Sequence, residues 1–251
     1  MTRVGLLRTA IIVGTIALLE VASRMAWINP VSFIPPSHMA MGAWHILASG
    51  QYNTDILLTL GSASVSILLS ILWGFLFGLI LHKFPRLRRV LDPLLLSYYA
   101  VPIFIFYPLL IVLFGLNRLP IIAIGFLFAV VAMAVSTLNG LERVPGVLLR
   151  TSRLLHLSRF EEIRLIILPA SLPFVFTGIK LSVVYSFIAI IAGEFVLSGS
   201  GIGYQIAFAY NNFDNPTMYG LMLLILAFVG TLNLGLYMIE QRMYQRRILK
   251  E

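Results

Sequence analysis

Cysteine is absent from all 251 residues, which excludes disulfides, thiolate catalysis and cysteine-based metal sites. This says little about redox compartment, because a membrane protein can dispense with thiols anywhere. Charge is also scarce: 11% of residues are Asp, Glu, Lys or Arg, against about 25% in an ordinary soluble domain. A phosphate-binding loop is missing, since no Gly-x4-Gly-Lys-Ser/Thr occurs. Histidines His38, His45, His82 and His156 show no metal-ligand spacing. No apolar segment pairs a serine with a histidine that would activate it, so intramembrane hydrolysis has no catalytic set.

What remains is apolar. Hydrophobic residues make up 59% of the chain, and the mean hydropathy is +0.95. Apolar runs of roughly twenty residues recur, each able to cross a hydrocarbon core of about 30 Å. Backbone groups must be satisfied inside lipid, which favours helices; a barrel would need short alternating segments. The expectation is an all-α integral membrane protein, one domain over residues 1–251. Six transmembrane spans are expected at Leu7–Trp27, Ile56–His82, Leu94–Leu116, Pro120–Leu138, Ala170–Leu197 and Met218–Ile239. The first could instead be a signal peptide, with Arg3 and Arg8 before a short apolar run. Against that, Glu20 and Arg24 stand in helix-pair order and no small-x-small cleavage site follows.

A formal net charge of +8 invites a nucleic-acid partner, but the positions of the charges argue against one. Arg3, Arg8, Lys83, Arg86, Arg88, Arg89, Arg143, Arg150, Arg153, Arg159, Arg164, Arg242, Arg246, Arg247 and Lys250 fall in gaps or tails that share one side. The opposite gaps, Asn29–Asp55 and Ser198–Thr217, contain neither Lys nor Arg. Positive charge on the inner side places both termini in the cytoplasm, and anionic headgroups account for most of it without nucleic acid. The gap Asn29–Asp55, with Pro30, Pro35, Pro36 and Gly42, has room for a short interfacial helix around His38–Ala48.

Within the spans, Ser62, Ser66, Ser70, Gly74 and Gly78 form a small-residue ridge in steps of four, and Gly178, Ser182 and Ser186 a shorter one. Such ridges let helices approach closely, either within the chain or between subunits. Pro102 and Pro108 interrupt the third span. Non-helical backbone at membrane depth needs protein or a water-filled cavity around it, so Tyr98–Gly115 reads as pathway-lining structure or as a plain kink. Glu194, near the outer end of span five, marks a pathway or gate, or else a structural cap. Lys180 and Arg118 are placed to snorkel towards headgroups.

The most informative stretch is Arg143–Gly178, basic and amphipathic, in the cytoplasmic loop 139–169 and the start of span five. It ends in Ile166-x-Leu168-Pro169-Ala170-Ser171-Leu172-Pro173, with Gly178 beyond. Ala192-Gly193-Glu194, Gly201-Ile202-Gly203-Tyr204 and Pro102-x5-Pro108 through Phe114-Gly115 stand elsewhere. Together these resemble the permease subunit of a bacterial binding-protein-dependent ABC importer, most closely the nitrate/sulfonate/taurine branch, over nearly the whole chain. The family's cytoplasmic motif is Glu-Ala-Ala-x3-Gly-x9-Ile-x-Leu-Pro. In register, Arg150-Thr151-Ser152 stands for Glu-Ala-Ala and His156 for Gly, while Ile166, Leu168 and Pro169 match. Leu197-Ser198-Gly199-Ser200-Gly201 superficially resembles a nucleotide-cassette signature, but it reads as a glycine-rich turn at the outer end of a span.

The resemblance implies a type I importer permease with a coupling helix between spans four and five, in a bacterial inner membrane. Two permeases, identical or distinct, form the pathway; two ATPase subunits dock beneath the Leu148–Ser158 helix; an extracytoplasmic binding protein delivers a small solute. It further implies a non-catalytic chain with no cofactor of its own, ATP and Mg being bound by the ATPase. Coupling falls to Arg150, Thr151, Ser152, Arg153, His156, Leu157, Ser158, Ile166, Leu168 and Pro169, and the pathway or gate to Pro102, Pro108 and Glu194. Two departures stand out. His156 must make the turn normally made by glycine, which histidine tolerates better than most residues. Arg150 reverses a charge at the docking surface, pointing to a co-adapted ATPase or a second permease with the intact motif; lipid attraction alone is the plainer account of the basic loop. A stand-alone channel or secondary carrier is the alternative, but midplane charges and an internal repeat are lacking.

Overall fold

A computed structural model describes residues 3–29, 32–98 and 100–248. Pro30, Tyr99 and Lys250 lie outside them, as do the side chains of Arg3, Arg8, Arg246 and Arg247. The described residues form helices and turns, and five helices are long and apolar enough to cross a membrane: Gly5–Arg24, Asn53–Lys83, Leu119–Glu142, Arg159–Leu197 and Asn215–Arg242. The chain divides into two units, Met1–Thr59 with Glu194–Gly230, and Leu60–Gly193 with Thr231–Glu251.

In the first unit, α1 (Arg3–Arg24) is followed by α2 (Pro36–Ser49), the short helix expected near His38–Ala48. Pro36 suits the first turn, where an N–H has no intrahelical partner, and Gly50 ends α2 at φ 66°. Glu20 joins the two helices: it accepts from Arg24 Nε at 2.6 Å, Ser37 Oγ at 2.7 Å and the Ser37 N–H at 3.0 Å. The first turns of α3 (Asn53–Lys83) belong here too.

The second unit holds the rest of α3, then α4 (Pro85–Tyr98), a single 3-10 turn (Ile103–Phe106), α5 (Tyr107–Phe114) and α6 (Leu119–Glu142). After α6 come α7 (Gly146–Leu154), α8 (Arg159–Glu162), a π turn (Ile163–Ile167) and α9 (Leu168–Leu197). The π turn has a local cause. Pro169 has no N–H to continue the ladder, and the backbone bonds instead over five residues, Leu168 N–H to Ile163 O.

The small-residue ridges pack inside this unit. A Cβ on Gly74 would lie 2.6 Å from Met133 Cβ, one on Gly78 2.7 Å from Ala134 O, and one on Gly178 2.8 Å from Met133 Sδ. Ser66 and Ser186 share a hydrogen bond at 3.0 Å. Thus α3 and α9 close onto α6, whose Ile124, Ala129, Met133 and Ala134 are fully buried. The intrachain account of the ridges is the one seen here.

One expectation needs correction. The third span, Leu94–Leu116, is not one helix. It breaks after Tyr98 and resumes as the short apolar stretch Ile103–Phe114, because Pro102 interrupts the backbone, Pro108 opens α5, and Gly115 ends it at φ 81°. The gap Ser198–Thr217, to which the sequence assigns no helix, holds α10 (Ile202–Asn211), ahead of α11 (Asn215–Ile248). In the first unit α2, α10 and the start of α11 share a core of Ile46, Ile202, Ile206, Ala209, Met218 and Leu221. There α2 and α11 touch through backbone: a Cβ on Gly42 would sit 2.8 Å from Pro216 O, and one on Gly220 2.9 Å from Gly42 C.

Candidate functional site

The basic loop folds into a cross-linked helix–turn–helix. Leu155 to Leu157 turn between α7 and α8, and His156 adopts φ 52° in the left-handed region. Ser158 then starts α8 with a capping box, its hydroxyl and N–H paired with the Glu161 carboxylate and its Oγ accepting from the Glu161 N–H. Ser152, 2% exposed, donates to Glu162 Oε1 at 2.9 Å and ties α7 to α8. Both carboxylates are thus occupied within the loop, while Arg150, Thr151, Arg153 and Arg159 are exposed. Leu154 and Leu155 are 78% and 65% exposed between the arginines. Leu157 and Ile166 are half-buried, and Leu168 and Pro169 are exposed.

The left-handed turn gives a direct test. A β-branched residue at positive φ adds about 1–2 kcal/mol of strain. His156→Val is therefore expected to open the turn and speed tryptic cleavage at the flanking Arg153 and Arg159 roughly tenfold, whereas His156→Gly leaves cleavage no faster. Equal rates for the Val variant and the parent protein would show that the turn does not control opening.

Glu194 occupies a different setting, in the first unit. It is fully buried in the last turn of α9 and accepts from Thr59 Oγ at 2.7 Å and the Gly203 N–H at 3.1 Å. Thr59 accepts in turn from the Ile202 N–H at 2.9 Å. Asp55, one turn before Thr59 on α3, accepts from the Gly201 N–H at 2.6 Å and from Gln205 Nε2 at 2.8 Å. Three successive N–H groups at the start of α10 are therefore capped by side chains from α3 and α9, and negative charge sits at the positive end of the helix. Gly201 makes this possible: at φ 101°, a Cβ would collide with the Glu194 carboxylate.

Pro102 and Pro108 bracket the 3-10 turn in the second unit, and Tyr98 Oη donates to Leu127 O at 2.7 Å. Two basic residues differ from expectation: Lys180 pairs with Glu240 on α11 at 2.6 Å, and Arg118 donates to Ser62 Oγ at 3.2 Å. Sequence reasoning did not single out Asp55, Thr59 or Glu240. Asp55 and Glu240 were discernible as acids beside apolar runs, but their partners lie many residues away.

A model of the binding-protein-dependent transport system inner membrane component family matches residues 67–250. The chain is 28% identical to the putative aliphatic sulfonates transport permease protein SsuC of Bacillus subtilis (strain 168), covering 98% of this chain and 86% of that one. It is 25% identical to the taurine transport system permease protein TauC of Escherichia coli (strain K12), over 92% and 87% respectively. The fold resembles that of an inward-facing MetNI methionine ABC transporter structure, with a TM-score of 0.66 at 18% identity over 76% of this chain and 95% of that one. The likeness to the sulfonate and taurine branch drawn from Leu168-Pro169 and its companion motifs is therefore met by whole-chain relatives. With a family match across most of its length and long apolar helices to carry it, the chain belongs to the inner-membrane components of binding-protein-dependent transport systems, the ABC importer permeases.

Proposed function

We propose that this chain forms half of the transmembrane pathway of an ATP-driven importer in a bacterial inner membrane, taking up a small solute delivered by an extracytoplasmic binding protein. The observation that carries this reading is the family match over residues 67–250 around an exposed, internally braced basic loop. In this reading the chain is one membrane domain that crosses six times, the broken Leu94–Leu116 segment supplying the third crossing, with both termini in the cytoplasm. α7 is the coupling helix. Arg150, Thr151, Arg153 and His156 meet the ATPase, Ser152, Leu157 and Ser158 hold the helix–turn–helix together, and Ile166, Leu168 and Pro169 join it to α9. The interrupted backbone at Pro102 and Pro108 lines the pathway, and Glu194 governs an outer gate through the turn it holds. The chain itself is non-catalytic; ATP and Mg belong to the ATPase, and the second permease is either another copy or a distinct chain.

The test is co-purification from the native host with partners identified by mass spectrometry. Recovery of an ABC ATPase is the expected result, and a second, distinct permease would explain Arg150 and His156 as one half of an asymmetric pair. Recovery of the chain alone, from an extract that preserves other ABC complexes, would favour a stand-alone channel or carrier.

A further inference from the structure

The two segments without lysine or arginine, Asn29–Asp55 and Ser198–Thr217, supply α2 and α10, which pack in one core with the start of α11. Beside that core lie two cavities of about 520 and 210 Å³, with Gln51, Tyr52 and Thr217 common to both walls. The larger is mainly apolar, with Met41 between His38 and His45 along α2. The smaller bears Asp55 and Asp214. Both carboxylates are already oriented by donors, Asp55 as described above and Asp214 by the Thr217 N–H at 3.3 Å. Among the described residues, neither wall contains a lysine or arginine.

We propose that these adjacent cavities form a solute site selective for a small organic molecule with an apolar body and hydrogen-bond donors, uncharged or cationic, and that they reject anions. The inference rests on the importer reading, which puts these segments on the outer side. The larger volume lies in the range of small-molecule sites, and a mostly apolar wall with a few fixed polar groups is their usual make-up. Arginine, lysine or free backbone N–H groups hold an anion best; here the walls offer His38 and His45, in the larger cavity only, and otherwise neutral side-chain donors. The natural place for an anion is the N-terminus of α10, but the Gly201, Ile202 and Gly203 N–H groups already serve Asp55, Thr59 and Glu194. What the smaller cavity offers is carboxylate oxygen, which attracts donors and cations and repels anions.

The full chain in phosphatidylcholine nanodiscs can be probed by saturation-transfer NMR with benzamidine, benzamide and benzoate, planar probes of one size and three charges. Benzamidine and benzamide are expected to bind, with benzoate at least about tenfold weaker. Met41→Trp, at an exposed position on the larger wall, should abolish binding of both. Asp214→Asn, which keeps an oxygen for the Thr217 N–H, should weaken benzamidine roughly fivefold while leaving benzamide unchanged. Benzoate binding as tightly as benzamidine would overturn the proposal. So would the absence of any binding at millimolar concentration in a preparation with the parent melting profile, or indifference of the bound probes to Met41→Trp. Binding is read on this chain alone and the importer reading on ATPase recovery, so either can fail while the other stands.

Discussion

Gly201→Ala is expected to lower the melting temperature of the chain sharply. Gly201 has φ 101° and ψ 170°, a region open essentially to glycine alone, where another residue costs about 1–3 kcal/mol. The new Cβ would also meet the Glu194 carboxylate. If that carboxylate moves, the Thr59 hydroxyl and Gly203 N–H lose their acceptor in a buried setting, at about 1–3 kcal/mol each. Even the low end of this sum is about 3 kcal/mol, roughly a hundredfold in the folded ratio. Thermal melting in detergent checks it: a Gly201→Ala protein that melts within a degree or two of the parent would mean that the α9–α10 turn relaxes freely. Gly199 in the same turn is the control, since a Cβ there meets nothing within 4 Å and its φ lies outside the left-handed region.

Leu155→Asp should have the largest effect on transport. Leu155 is 65% exposed beside Leu154 and the left-handed His156, so its replacement leaves the packing of the helices alone. If the tip of α7 seats in a partner's groove that receives an apolar side chain, a carboxylate there must be desolvated, at several kcal/mol. A loss of about 3 kcal/mol weakens association roughly a hundredfold. ATPase recovered with the chain, and solute uptake, should both fall more than tenfold while the amount of chain in the membrane stays constant. Unchanged ATPase recovery would remove α7 from the coupling surface and leave the basic loop to the lipid headgroups.

The long helices were readable because lipid demands one thing everywhere: an apolar run with its backbone satisfied internally. α3 and α9 therefore begin and end within about three residues of their expected bounds. The small-residue ridge from Ser62 to Gly78 was readable for the same reason, since its step of four is a helix face. Local backbone chemistry carried some of the rest: the turn at His156 and the break at Pro102 follow from φ preferences. Contacts across the sequence were a different matter. Glu194 is 135 residues from Thr59, and no local periodicity announces that pairing. α10 leaves no mark in the apolar pattern because its ten residues are too short to span lipid. Lys180 reads as a lone charge in the sequence for the same reason, its partner Glu240 lying on another helix.

That pairing has its place in the order in which the protein is made. Lys180 and Glu240 are separated by 60 residues, and a lysine in an inserting helix carries a penalty that reaches about 2.5–3.5 kcal/mol at the helix centre. At a synthesis rate of about 5–20 residues per second, α9 waits several seconds before Glu240 emerges. During that interval the fifth apolar segment carries a charge that its later partner does not yet offset, and the arrival of the last helix adds to the stability of the inserted state.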